Sequence, residues 1–172
     1  MELKKAVENL DWDNAAENLD WEKIEQETGF SIHQDLKKFY SAFTGKPHGV
    51  VNFIEKNLIE KTGNRKFDKW FSFNRCEGNV SYYFFPVTSP QNAAKEVTAA
   101  FREWTGGNDW GHRAMIGEFL TNIGDILILF NNDTGKVEWI DCGYGYFDIY
   151  EKNPNGILAN SMEAFLKKLD LY

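Results

Sequence analysis

Along the first thirty residues, apolar positions follow neither an unbroken helical period nor a strand alternation. The phrase Asn-Leu-Asp-Trp occurs at residues 9–12 and again at 18–21, a spacing of nine. Nine residues turn a helix by roughly half a revolution, so Trp12 and Trp21 would lie on opposite sides of one continuous helix. The pattern therefore predicts two short helices, with Asp11 and Asp20 as caps. Trp21, Ile24 and Thr28 form the apolar stripe of the second, and Gly29 stops it. Ser31-Ile32-His33-Gln34 has the form of a capping box, and the helix it opens places Leu36, Phe39, Tyr40 and Phe43 on one side before Thr44-Gly45.

Residues 46–69 lack a clean period and are expected to form an irregular basic excursion, with one helical turn between Phe53 and Lys61. From Trp70 the period shortens. Trp70-Phe71-Ser72-Phe73 and Val80-Ser81-Tyr82-Tyr83-Phe84-Phe85 read as strands of a hairpin turned at Glu77-Gly78-Asn79. Ser89-Pro90 opens a helix with Ala93, Val97, Ala100, Phe101 and Trp104 on its buried side. Strands follow at 114–118, 123–130 and 136–141, the last two joined through Asp133-Thr134-Gly135. The stretch 123–130 is apolar on both faces, which predicts a central strand. Asn153-Pro154-Asn155-Gly156 reads as a turn, and a final helix opening near Asn160 or Ser161 buries Met162, Phe165, Leu166 and Leu169. Helices first, a run of strands with one inserted helix, and a closing helix predict a single α+β domain spanning residues 1–172. Its sheet would be mainly antiparallel or mixed, with helices over one face.

At 42% apolar and 16% aromatic residues, 172 positions suffice for one substantial core. The amino terminus lacks the apolar block of a signal peptide, so a cytosolic location is expected. The two cysteines, Cys76 and Cys142, lie far apart and read as small buried apolar residues. The net charge of −7 argues against nucleic acid or an anionic membrane as partner and favours a basic protein. Charge is also uneven. Residues 1–30 carry nine acids against three lysines, and residues 118–151 carry seven against one; residues 52–75 hold six basic side chains against three acids.

Catalytic and metal signatures are missing from the sequence. His33, His48 and His112 have no second histidine at i+4, and the chain has no Cys-pair spacing for zinc. No serine sits in a Gly-x-Ser-x-Gly elbow. Gly143-Tyr144-Gly145 lacks the third glycine of a nucleotide loop, and Asp125, Asp133 and Asp141, eight apart, fall at different strand ends. No cofactor and no metal is expected, and a non-enzyme is the favoured class. A deep polar pocket holding His112 or His33 beside a carboxylate would favour an enzyme instead. What stands out is aromatic residues among acids. Trp104, Asp109, Trp110, Asp133, Glu138, Trp139, Asp141, Tyr144 and Tyr146 are the candidate partner-binding residues, the rings supplying affinity and the acids rate and selectivity.

Three parts of the chain resemble a known superfamily. Trp21 to Gly45, with Ile24-Glu25-Gln26-Glu27-Thr28-Gly29 leading into Leu36-Lys37-Lys38-Phe39-Tyr40 and Thr44-Gly45, is similar to the amino-terminal signature of the SUKH superfamily. Residues 157–166, Ile-Leu-Ala-Asn-Ser-Met-Glu-Ala-Phe-Leu, resemble its closing helix, and residues 123–141 its central hairpin. The resemblance implies an α+β domain whose bacterial members are immunity proteins that bind a toxin, often a nuclease, and whose fungal relatives are regulatory scaffolds. It thus implies a cognate toxin domain as partner, which the net charge of −7 predicts to be basic, with a non-enzymatic scaffold as the alternative.

Overall fold

The computed structural model describes residues 19–42, 48–52, 79–85, 94–95, 97–98, 112–121, 124–141 and 155–171. Helix α1 spans Trp21–Thr28. Asp20 caps it, accepting the Lys23 amide at 3.0 Å. Gly29 ends it at φ 81°, where its N–H reaches the Glu25 carbonyl; this left-handed position suits a residue without Cβ.

Helix α2 covers Gln34–Ala42. Its start corrects the expected capping box. His33 holds the cap position: its ring Nδ1 accepts the Asp35 amide at 3.1 Å, and its carbonyl takes the Leu36 and Lys37 amides. Ser31 and Gln34 do not cap because the preceding backbone is held elsewhere, by a side chain from the sheet described below.

Six strands form one sheet in strict sequence order: β1 His48–Asn52, β2 Asn79–Phe84, β3 Arg113–Thr121, β4 Gly124–Asn131, β5 Val137–Asp141 and β6 Asn155–Ala159. Every neighbouring pair is antiparallel, with bulges between Met115 and Gly117 and between Val137 and Glu138. Helix α3, Met162–Lys168, closes the described chain; Ser161 caps it by accepting the Ala164 amide. The molecule is therefore α+β. Among the described residues no helix is long and apolar enough to cross a membrane.

Two strands were not expected. β1 lies inside the basic stretch 46–69, and β6 absorbs Asn155 and Gly156 from the expected turn. β2 pairs with β1 and β3; residues 70–73, expected as its hairpin partner, lie outside the described residues.

Alternation of side chains decides which face is covered. Val80, Tyr82 and Phe84 on β2, Ile126, Ile128 and Phe130 on β4, and Val137 and Trp139 on β5 share one core with Ile24, Leu36, Phe39, Phe165 and Leu166 of the helices. Phe84 meets Phe39 of α2 edge-on at 5.2 Å and Phe165 of α3 at 6.1 Å. Burying a side chain of this size contributes about 1.5–3 kcal/mol. Val97, helical and buried, joins the same core. On the opposite face Leu127, Leu129 and Ile140 form a second buried cluster, so β4 is covered on both sides as its composition predicts.

Candidate functional site

Among the described residues, the turn between β4 and β5 gathers a cluster of polar side chains. Asn131 folds it, its Oδ1 accepting the Asp133 and Thr134 amides, while Gly135 completes it at φ 72°. Asn132 points the other way. Its Oδ1 accepts the His33 amide at 2.6 Å and its Nδ2 donates to the Ser31 carbonyl at 2.7 Å, so one carboxamide grips the α1–α2 connection on both sides of Ile32. The His33 ring packs edge-on against Phe130, and a Cβ at Gly135 would lie 2.9 Å from its Nε2. The turn and the helical connection thus form one rigid knot.

On its outer side, His112 Nδ1 lies 2.8 Å from Asp133 Oδ1, and Phe30 stacks on the imidazole at 4.1 Å with planes 16° apart. The His112 carbonyl accepts the Asn132 amide, tying the start of β3 to the same turn. About half of each of the His112 and Asp133 side chains is exposed. Phe30 also lines a shallow open hollow of about 470 Å³ with Glu22, Glu25, Gln26, Gly29 and Ser31.

The hollow's two carboxylates differ. Glu25 Oε1 accepts from Lys37 Nζ at 2.7 Å and from the Ile32 amide at 2.8 Å, and these bonds, Lys37 first, hold its pKa below the ordinary value. Lys37 also lies over the Trp21 ring, 5.9 Å from its centroid. Glu22 is exposed and has no ion-pair partner among the described residues, so its charge faces solvent.

No protein-family model, curated protein or solved structure matches the chain.

The candidate residues divide clearly. Asp133 is exposed at the tip of the turn, as a binding residue must be. Trp139 is fully buried in the helix-side core and cannot touch a partner. Glu138, 7% exposed, accepts from Arg113 Nε at 2.6 Å and from Asn131 Nδ2 at 2.9 Å, so this acid locks the sheet instead of facing outward. Both corrections follow from β5 being covered on its two faces. Asp141 ends β5, where its backbone alone is described. Trp104, Asp109, Trp110, Tyr144 and Tyr146 lie outside the described residues. Phe30, Glu22 and Asn132 carry no local functional signal, because no sequence spacing joins α1 to a turn a hundred residues later; the run Asn131-Asn132-Asp133 is the one cue.

Chemically, the surface offers a fixed ring stack with carboxylates at its border. It suits lysine or arginine side chains of a partner, which can pair with the acids and lie against the rings. Among the described residues no group of three or more metal-ligating side chains occurs.

Proposed function

We propose that the chain is an immunity protein of the SUKH type, which binds a basic toxin domain, of nuclease type, and blocks it without making or breaking a bond. The observation that carries this reading is the exposed border of Glu22 and Asp133 around the Phe30–His112 stack, held stiff by Asn132. A preformed negative surface accelerates encounter with a positive partner and loses little conformational entropy on binding. The order of two helices, an antiparallel sheet and a closing helix supports the family part of the proposal.

The test is titration of the purified chain into the toxin domain encoded beside it. A one-to-one complex with Kd on the order of nanomolar, weakening as salt rises, is expected. Absence of a complex, with the toxin fully active, refutes the proposal. A regulatory scaffold is the alternative, favoured where no toxin is encoded nearby.

One feature favours an enzyme as a second reading: Asp133 orients the His112 imidazole in the manner of a general base. A His112→Ala variant that still neutralises the toxin removes that reading.

A further inference from the structure

Strand β1 forms one edge of the sheet, and no other strand of the described residues pairs with its outer side. A strand bonded on one side leaves alternate N–H and C=O groups pointing outward, and proteins commonly blunt such edges with lysine, proline or a bulge. β1 has none of these. Its sequence is His-Gly-Val-Val-Asn, and it runs against β2 through five positions without a register shift.

The middle residue, Val50, is 64% exposed. Val50 lies opposite Ser81, and Ser81 opposite Leu120, itself 41% exposed, so the open face carries two exposed apolar side chains with a serine between them. On the helix side the edge is sealed differently. The Tyr82 ring lies over Gly49, where a Cβ would fall 2.5 Å from the Tyr82 hydroxyl.

We propose that β1 pairs antiparallel with β1 of a second copy about a two-fold axis at Val50, joining the two sheets edge to edge. The strand is its own complement. With the axis at Val50, His48 stands opposite the partner's Asn52, Gly49 opposite the partner's Val51 and Val50 opposite the partner's Val50. On the helix side the partner's Val51 would stand against the Tyr82 ring that covers Gly49. The two Val50 side chains meet on the open side and cover each other from water. Charge selects the same place: two copies of net −7 repel wherever their acids face each other, and β1 carries no acid and no lysine. Five residues per chain make a seam well below the roughly 1,600 Å² of a stable interface, so the dimer forms reversibly as concentration rises.

Sedimentation velocity over a concentration series tests this, together with hydrogen exchange at residues 48–52. Wild type should pass from monomer to dimer while amides of β1 gain protection. Val50→Lys, which sets two ammonium groups together at the axis, should weaken association roughly tenfold or more, and Val50→Thr should retain it. Equal melting temperatures for the three proteins show that folding is not what changed. A wild type that stays monomeric throughout, or a dimer that survives Val50→Lys, overturns the proposal. So does protection of β1 that arises only when a different protein is added.

Discussion

Asn132 shows how much one side chain can decide. Its carboxamide bridges the β4–β5 turn to residues 31 and 33, and both of its polar atoms are used in a nearly buried setting. Asn132→Asp keeps the shape but loses the donor to the Ser31 carbonyl, and it sets a carboxylate oxygen beside that carbonyl. The expected loss is about 1–3 kcal/mol by urea denaturation, with the helical connection exchanging amide hydrogens faster. An unchanged midpoint would mean that the knot does not hold the connection. The caps at Asp20, Gly29 and Ser161 were legible because each acts within four residues. The His33 cap was not, since it depends on a partner 99 positions away. Local propensity alone favoured serine there, and tertiary structure overrode it.

At the scale of elements, α1 and α2 are stapled by Glu25, whose single oxygen receives Lys37 and the Ile32 amide. These bonds favour the charged carboxylate, so its folded-state pKa lies below the ordinary 4.5. The group therefore stabilises the fold fully above pH 4.5, and that contribution fades as pH falls through the lowered value. Glu25→Gln removes the charge and leaves an acceptor. Wild type should exceed the variant in stability at neutral pH, with the gap closing below pH 4.5; chemical denaturation across that range checks it, and a constant gap would rule out the charge as its source. The amphipathic stripes of α1 to α3 and the doubly covered β4 were legible because their periods are set by burial. β1 and β6 were not. Each lies at an edge of the sheet and contains a glycine and an asparagine, residues that in a single sequence signal turns.

For the molecule as a whole, acidity divides into charges that face solvent and charges that build the fold, and composition cannot tell them apart. Glu22 and Asp133 belong to the first kind, Glu138 to the second. Their variants should consequently fail in different assays. Glu22→Lys and Asp133→Lys should each lower affinity for a basic toxin domain roughly tenfold, more at low salt, and leave the melting temperature within a degree or so, because exposed pairs contribute little to folding. Glu138→Ala leaves the Arg113 guanidinium, about four-fifths buried, without its carboxylate. It should lose about 1–3 kcal/mol of stability, and whatever fraction remains folded should bind normally. Thermal melts beside calorimetric titration separate the two classes. If Glu138→Ala weakened binding while melting like wild type, this acid would face the partner after all, and the division drawn from burial on β5 would fail.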